Sequence, residues 1–320
     1  MNILILSAGR RVSLFLSFQK ALKKYFPESN VYTVDANPKR SSVCQINKKY
    51  SAQIPMVHDG DYVKNLTKFS QSNNIKIIIP TIDTELKVLS DLKEHFLTFG
   101  CEIVISDKEF IENCQDKENQ KDFFELFDIK TPQMFERNNI TYPAFAKPKN
   151  GSRSQGIIYL YSPEDMNERI INDQNLIFME LISKEEYQEF TVDMYFTKDS
   201  SLLSLVPRER LAVRDGEVSI GRTVKGNLYK NLLEKFSYLE GAKGCITAQF
   251  FYSTKANQLL GIEINPRFGG GYPLSHAAGV NFQENIIQEY ALKNKNLAFN
   301  DRWKENIIML RHDSEVFIYE

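Results

Sequence analysis

The sequence predicts an α/β fold in its first part and an α+β fold in its second: an open parallel sheet, then an antiparallel body with a small lid. Short apolar runs alternate with helical patterns over roughly the first 110 residues, which is typical of β-α-β units. The first apolar run, Ile3 to Ser7, has the character of a strand covered on both faces. After about Thr131 the strands become shorter and are separated by turn residues, which indicates the antiparallel body.

In the first part, the second element is a predicted helix over Val12 to Tyr25, with Val12, Phe15, Leu16, Gln19 and Leu22 at helical spacing. A second helix is predicted over 62–70, and further strands over 31–35, 75–80 and 102–106. Ligands of open parallel sheets bind at the carboxyl ends of the strands. These ends are residues 7–11, 35–37 and 81–85.

The second part begins with a helical stretch, 107–127, that connects to it. Strands are then predicted over 143–147, 156–160, 176–182, 189–196, 201–207, 247–252 and 259–265. We therefore expect three units: an α/β domain over 1–110, a lid with its connecting helix over 111–185, and a catalytic body over 186–320.

The charge balance argues against a nucleic-acid partner, because 40 Lys and Arg residues face 41 Asp and Glu residues and no basic stripe is present. No apolar stretch approaches the roughly 20 residues that span a bilayer, and the N-terminus has the pattern of a strand rather than of a signal peptide. We expect a cytoplasmic protein without a membrane partner. The four cysteines include no CxxC pair, so a zinc site is not indicated.

The first chemical motif is GIEINPRFGGG, residues 261–271. Side chains alternate on a strand, so Ile262 and Ile264 are predicted to face the core while Glu263 and Asn265 face the other way, followed by Arg267. Carboxylate and amide oxygens suit Mg²⁺, and Arg267 would stabilise a transferring phosphoryl group. Gln249 on a neighbouring strand is predicted to reach the same metal. The alternative is a solvated edge strand that ends in a turn.

The second motif, residues 144–157, places Lys147 before a loop that contains Gly151, Ser152 and Gly156. Backbone N–H groups of such a loop can cover phosphates, which the lysine would neutralise. A plain hairpin turn is equally compatible with this pattern.

The third motif, residues 178–195, contains a strand ending in Glu180, Leu181 and Ile182, followed by Glu189. The backbone at the strand end is positioned to contact an adenine edge, and Glu189 to hold ribose hydroxyls. Solvated glutamates are the alternative.

These motifs, in this order, resemble the ATP-grasp superfamily, most closely its single-unit carbamoyl-phosphate-synthase-like branch; LILSAGRRV, PTIDTEL and the INPRFGGGYPLSHAAGVNF run carry the likeness. The resemblance implies a ligase that uses ATP and Mg²⁺, or Mn²⁺ in its place, to activate a small carboxylate for attack by an amine, in a chain that can form a homodimer. It implies phosphate contacts by Lys117 and Lys147, adenine contacts by Glu180 and Ile182, and a ribose contact by Glu189. It further implies metal ligation by Gln249, Glu263 and Asn265, and contact of Arg267 with the reacting phosphate.

Some features limit the resemblance. The chain holds one unit and no glutaminase nucleophile pattern, so carbamoyl phosphate synthesis itself is not expected. Formation of a carboxyphosphate and nucleotide binding without turnover stay as alternatives. A nicotinamide-dependent oxidoreductase is disfavoured because no GxGxxG follows the first strand.

Substrate recognition is expected near residues 206–225, which contain the guanidinium groups suited to carboxylate or phosphate: Arg208, Arg210, Arg214 and Arg222. The alternative is a solvated hairpin with Arg–Glu pairs. We select Arg208, which follows a strand directly, as a catalytic candidate. Tyr272, Ser275 and His276 are candidates for the substrate pocket or for a helix start, and a structural role is the alternative for His276. Asp83 and Glu85 are candidates for binding an amine, with ordinary acids at a helix start as the alternative.

Overall fold

The computed structural model describes residues 1–37, 42–149 and 156–318, without the side chains of residues 117 and 118. Within these ranges the strands form three sheets, one parallel and two antiparallel. The predicted fold class is therefore confirmed.

The parallel sheet has five strands in the order β3-β2-β1-β4-β5. Their bounds are β1 (Asn2–Ile5), β2 (Val31–Asp35), β3 (Ser51–Gln53), β4 (Ile75–Ile79) and β5 (Glu102–Ile103). The helices are α1 (Val12–Tyr25), α2 (Tyr62–Ser72), α3 (Asp83–Asp91) and α4 (Lys93–Leu97). The short strand β3 was not predicted, because three residues with one apolar member carry no strand pattern.

Helix α1 has the predicted bounds, and its buried face is rotated only in part from the predicted one, since Leu22 is buried and Val12 and Phe15 pack against the core. Its buried residues are Leu14, Phe18, Ala21 and Leu22, whereas Leu16 is 54% exposed. Both sets follow helical spacing, so the apolar pattern fixed the helix and left its rotation open.

The lid sheet follows two helices, α5 (Lys108–Gln115) and α6 (Lys117–Glu125), where one helical stretch was predicted. Asp116 is extended, which ends α5. The sheet order is β6-β9-β7-β8. Its elements are β6 (Met134–Phe135), β7 (Ala144–Pro148), β8 (Ile158–Leu160), α7 (Glu168–Asn172) and β9 (Leu176–Glu180).

The body is an antiparallel six-stranded sheet in the order β14-β13-β10-β11-β12-β15. Its elements are β10 (Gln188–Phe196), β11 (Leu202–Arg214), β12 (Glu217–Thr223), α8 (Gly226–Phe236), β13 (Gly244–Ser253), β14 (Gln258–Asn265), α9 (Tyr272–Ala278), α10 (Phe282–Ile286) and β15 (Ile308–Leu310). Strand β11 runs well past the predicted end at Pro207, because it pairs with β12 along its second half.

The hydrophobic core joins the parallel sheet to the body. Ile3 and Ile5 on one face of the parallel sheet belong to the same buried cluster as Phe250 and Ile264 of the body. The other face of the sheet has its own cluster with α2 and α3, and the lid has a third. Packing thus fixes the carboxyl edge of the parallel sheet against the loop that follows β14.

No helix in the described ranges combines the length and apolar composition needed to cross a membrane. All four cysteines are buried and free of disulfides.

Candidate functional site

The predicted metal residues meet on one face of the body sheet. Gln249 on β13 pairs in register with Glu263 on β14. The Gln249 Nε2 group donates to Glu263 Oε1 at 2.6 Å, and Asn265 Nδ2 donates to the same oxygen at 2.9 Å. All three side chains are half-buried. The sequence thus brings one carboxylate and two amides together, as predicted.

These side chains fit a hard cation. The cluster supplies one carboxylate and two amide groups. Carboxylate and amide oxygens are ligands that Mg²⁺ takes together with water and phosphate. In the described ranges no three His, Cys, Asp or Glu side chains come together to hold a metal ion. Glu263 is the one charged side chain among Gln249, Glu263 and Asn265. A divalent cation held here would therefore have one of its charges balanced by Glu263 and the other by the phosphates of a nucleotide.

A β-bulge shapes this strand. The register shifts between Gln249 and Phe250, so that Phe250 lies opposite Gly261 and Ile262 is the additional residue. Ile262 is only half-buried whereas Ile264 is 2% exposed, so full burial of the predicted core face holds for Ile264 alone. Glycine is required at 261, because a Cβ there would lie 2.6 Å from the Phe124 ring.

Arg267 follows the strand in a short turn and leaves the body to meet the parallel sheet. Its Nε donates to Asp83 Oδ1 at 3.0 Å, and its second guanidinium nitrogen donates to Oδ2 at 2.6 Å. The Arg267 backbone N–H donates to the Asn265 carbonyl at 2.7 Å, and Thr247 Oγ1 donates to the Arg267 carbonyl at 3.0 Å. The guanidinium is therefore held beside the amide–carboxylate cluster at the carboxyl edge of the parallel sheet.

Arg208 lies beneath the site. Its side chain is 1% exposed and makes a bidentate ion pair with Asp193 at 2.8 and 3.0 Å. Ser275 Oγ donates to Asp193 Oδ2 at 2.6 Å, and Thr247 Oγ1 lies 3.3 Å from Oδ1. A Cβ at position 271 would lie 2.1 Å from an Arg208 nitrogen, so glycine there leaves room for the guanidinium. Contact of Arg208 with substrate thus stays a prediction, since its described partners are all protein groups.

The predicted ribose ligand, Glu189, lies on β10 beside Arg210. Arg210 Nε is 2.9 Å from Glu189 Oε1. Burial raises the pKa of Glu189, Arg210 opposes that shift, and nearby Glu263 adds to it. Glu189 therefore lies on the same polar face as the metal cluster, close enough for their charges to interact.

The lid contributes the predicted adenine and phosphate residues. Lys147 is on β7 opposite Ile177 of β9, with its Nζ 5.7 Å from the centre of the Phe145 ring. Glu180 ends β9 and its carboxylate accepts from the Gln133 backbone N–H at 3.1 Å. The Leu181 N–H donates to the Pro143 carbonyl at 3.3 Å, and half-buried Ile182 follows. Gly156 begins the segment after the loop, with a positive φ of 73°.

Part of the predicted phosphate contact lies outside the described residues. This applies to the Lys117 side chain and to Gly151 and Ser152. Their roles stay predictions.

Two further arginines, Arg11 and Arg311, lie at the Gly270 turn near Arg267 and form what we call the arginine wall; the sequence analysis did not select either as a site residue. Arg11 donates to the Thr81 carbonyl at 3.2 Å, and burial together with Arg267 lowers its pKa to about 10. Arg311 is 2.5 Å from Glu217 and donates to the Gly270 carbonyl at 2.6 Å. The available signal for Arg11 was its place at a strand end, whereas Arg311 lies in a tail segment without a motif.

Glu85 lies deeper at the same edge and is 3% exposed. Its Oε1 accepts from Ser7 Oγ at 2.7 Å and from Tyr62 OH at 3.4 Å, while Oε2 has no hydrogen-bond partner among the described residues. Burial raises the pKa of Glu85 to about 7, against these hydrogen bonds. Asp83, two residues earlier, has Arg267 as its partner. The amine-binding prediction for this pair is therefore untested.

The other pocket candidates have structural partners. Tyr272 and Ser275 are buried, and Tyr272 OH donates to Gln283 at 2.8 Å. Of the two alternatives, the helix start is confirmed, because α9 begins at Tyr272 and packs both side chains into the core. His276 Nδ1 is 3.2 Å from the Val280 carbonyl, and burial lowers the pKa of this histidine. Arg222 and Arg214 pair with Glu209 and Asp313.

The parallel sheet, the small lid and the antiparallel body with its amide–carboxylate cluster agree with the resemblance to ATP-grasp proteins, and family models match two parts of the chain. Residues 3–104 match the "PylC-like, N-terminal domain" family, and residues 172–308 match the family described as "ATP-grasp in the biosynthetic pathway with Ter operon".

A similar curated protein is a D-alanine–D-alanine ligase from Wolbachia sp. subsp. Drosophila simulans (strain wRi), 28% identical over 208 residues. The match covers 55% of this chain and 65% of that ligase, so the chain spans less than two thirds of its length.

Two solved structures show the same fold. A biotin carboxylase–β,γ-ATP complex from Campylobacter jejuni has a TM-score of 0.70 at 14% identity, over 96% of this chain and 74% of that one. The biotin carboxylase domain of Hydrogenobacter thermophilus 2-oxoglutarate carboxylase, solved with MgADP, ADP and bicarbonate, has the same TM-score and identity over 96% and 73%.

Proposed function

We propose that the chain is an ATP- and Mg²⁺-dependent ligase that activates a carboxylate as an acyl phosphate and joins it to an amine. One observation carries this proposal: Gln249, Glu263 and Asn265 form an oxygen-rich cluster beside Arg267, directly opposite the carboxyl edge of the parallel sheet. Small-molecule substrates would enter from that edge, in the cytoplasm. The finer assignment to the carbamoyl-phosphate-synthase-like branch, with Gln249 at the first metal position, is part of the same proposal.

The nucleotide would lie between lid and body. The backbone at Leu181 and Ile182 would hold the adenine edge, Glu189 the ribose, and Lys147 the phosphates. Gln249, Glu263 and Asn265 would hold Mg²⁺, which neutralises phosphate charge when bound; Mn²⁺ is a suitable substitute because it takes the same oxygen ligands.

The reaction would proceed in two displacements. A carboxylate oxygen attacks the γ-phosphorus and the bond to ADP breaks, giving the acyl phosphate. The amine, after losing a proton, then attacks the acyl carbon, and phosphate leaves with the oxygen that came from the carboxylate. Arg267 would stabilise the negative charge on the transferring group, because it is half-buried and already oriented by Asp83.

The arginine wall supports an anionic substrate. Arg11 and Arg311 lie beside the Gly270 turn, with Glu217 held between them. Burial alone would raise the pKa of Glu217, but these two arginines outweigh it and lower the pKa. The Arg11 guanidinium would attract the carboxylate toward Arg267.

The experiment is a screen of pooled acids and amines for ATP-dependent phosphate release, with products identified by mass. We expect release with one acid–amine pair, and none without Mg²⁺ or Mn²⁺. Bicarbonate forms a separate arm, because release with bicarbonate alone would favour the carboxyphosphate alternative.

Nucleotide binding is measured in parallel by thermal shift. ATP or ADP with Mg²⁺ should raise the melting temperature by ligand linkage, and NADH should not. No shift at millimolar MgATP with folded protein would count against the whole assignment, whereas a shift without phosphate release would favour a non-catalytic nucleotide-binding protein.

A further inference from the structure

A second basic cavity lies away from the candidate functional site, where the outer edge of the parallel sheet meets the body. Its volume is about 190 Å³. Lysines supply most of its polar lining, together with one glutamate and one tyrosine: Lys93, Lys198, Lys243, Glu102 and Tyr290. None of these residues belongs to the metal cluster or to the arginine wall.

The cavity is assembled from several elements. Lys93 begins α4 and Glu102 begins β5, both beside the parallel sheet. Lys198 follows β10, Lys243 precedes β13, and Tyr290 lies in the helical turn after α10, all in the body. A ligand in this cavity would therefore contact both parts of the molecule.

The ion pairs around the cavity leave an excess of positive charge. Asp107 is shared by Lys93 at 3.2 Å and Lys243 at 2.6 Å. Glu102 is likewise shared by Lys198 and Lys293. Four ammonium groups thus contact two carboxylates. Buried Glu289, whose Oε1 accepts from the Lys198 backbone N–H at 2.7 Å, lies close to Lys198 as a third carboxylate, so the cluster keeps an excess of one positive charge.

The Asp107 and Glu102 carboxylates are held in the charged form. Burial by itself raises the pKa of each, but the hydrogen bonds and charges of the lysines outweigh it and lower both pKa values. Three of the lysine side chains, Lys93, Lys198 and Lys243, are only 30%, 34% and 20% exposed, which limits screening of their mutual repulsion by solvent.

We propose that this lysine cavity binds a phosphate group, either inorganic phosphate or the phosphate of a small monoester. An anion would balance the excess positive charge and neutralise the three ammonium groups that line the cavity. Lysine ammonium groups bind phosphate as point charges from several directions, and the volume admits an anion of this size but no nucleotide. Leu97, Ile103 and the Tyr290 ring offer an apolar wall for a short organic substituent. The proposal does not depend on the proposed ligase activity.

The test is isothermal titration of the full chain with sodium phosphate and, separately, with glycerol 3-phosphate, against sodium chloride at matched ionic strength. We expect saturable binding of at least one phosphate compound and none of chloride. Tighter binding of glycerol 3-phosphate would identify a monoester as the ligand class, and equal binding would identify the bare phosphate group.

Variants locate the site. The double variant Lys198→Met/Lys243→Met removes two charges and keeps the aliphatic stems, so the Kd for phosphate should rise at least tenfold. The single variant Lys93→Met removes one of the lining ammonium groups and should weaken phosphate binding several-fold. This single variant replaces the double variant in the test if the double variant does not fold. Lys48→Met, on an exposed turn, is the matched control and should bind normally.

Glu263→Gln separates this cavity from the nucleotide site. Phosphate binding should persist in this variant whether or not the ligase proposal holds. Absence of saturable binding in the unaltered chain would overturn the inference. Binding that survives both lysine variants, or that is lost only in Glu263→Gln, would overturn it equally.

Discussion

Two arginine–aspartate pairs serve the same face of the molecule in different environments. The Arg208–Asp193 pair is buried, with side-chain exposures of 1% and 0%. The Arg267–Asp83 pair joins the body to the parallel sheet, with exposures of 16% and 43%. Both arginines were catalytic candidates in the sequence, and both make two-nitrogen contacts with a carboxylate.

The difference lies in what surrounds each guanidinium. Arg208 is enclosed by Asp193, Thr247, Ser275 and the Gly271 turn, so moving it would leave charges unpaired in the core. Arg267 is partly exposed where the body meets the parallel-sheet domain, and its partner Asp83 begins α3; this pair is called the cleft pair. We infer that the buried pair supports the strand and loop that carry the metal cluster, and that the cleft pair is the one placed to meet a reacting group.

The largest expected effect tests the buried pair. Asp193→Asn keeps the shape but leaves the Arg208 charge unpaired, which typically costs about 3–5 kcal/mol of stability. Chemical denaturation measures the change. Asp313→Asn, which removes the exposed partner of Arg214, should cost less than about 1 kcal/mol. Similar losses in both variants would contradict the contrast between buried and exposed pairs.

Arg267→Ala should lower turnover by about 10²–10³-fold, as expected when a charge-stabilising donor is removed. Binding of MgADP should change much less, because the proposed adenine and ribose contacts lie at Leu181, Ile182 and Glu189. Steady-state kinetics with the identified substrate measures the loss of turnover, and titration with MgADP measures the change in nucleotide affinity. Arg214→Ala is the control and should keep normal turnover; an equal loss of ADP affinity and turnover in Arg267→Ala would remove the distinction.

The third effect concerns Glu85, the buried carboxyl at the edge that bears Asp83. Its pKa is raised from 4.5 to about 7. Between pH 4.5 and pH 7, Glu85 is therefore protonated in the folded state but ionised in the unfolded chain. Its contribution to stability is complete below pH 4.5 and falls as the pH rises through 7, by about 3 kcal/mol. Denaturation of the unaltered chain and of Glu85→Gln should diverge over this range, with the variant the less pH-dependent. Parallel profiles would show that Glu85 does not titrate there.

Asp83→Asn should have the smallest effect. The variant keeps a hydrogen-bond acceptor for Arg267 but loses the charge that fixes its two nitrogens. We expect turnover to fall about tenfold, since small misplacements of a catalytic group lower rates, with stability changed by less than about 1 kcal/mol because the pair is partly exposed. Asp83→Glu should restore part of the turnover. A stability loss as large as that of Asp193→Asn would make the cleft pair structural.

Much of the fold could be predicted because its patterns are local. Helix α1 and strand β2 have the predicted bounds, since apolar spacing and continuous apolar runs determine them. Which face of α1 is buried depends on packing against elements far away in sequence. The long β11–β12 hairpin was underestimated, because half of β11 is polar and is held by pairing rather than by an apolar pattern.

The site was predictable where one strand or one pair of strands carries it. Alternation on β14 placed Glu263 and Asn265 together. Gln249 joins them because it lies on β13 in register with Glu263. The partners of the arginines were not predictable, because Asp83 and Asp193 approach Arg267 and Arg208 only through the packing and pairing of distant segments. Arg11 and Arg311 meet at the Gly270 turn for the same reason.

The most direct measurement follows an oxygen atom. The carboxylic acid identified in the screen is labelled with ¹⁸O in its carboxyl group and converted with ATP and the amine. If the chain forms an acyl phosphate, one ¹⁸O atom passes from the acid to each released phosphate, and mass spectrometry of the phosphate detects it. Arg267→Ala should transfer the label at a much lower rate but in the same ratio. Product formation with unlabelled phosphate would contradict the acyl-phosphate route and with it the proposed role of the metal cluster and Arg267.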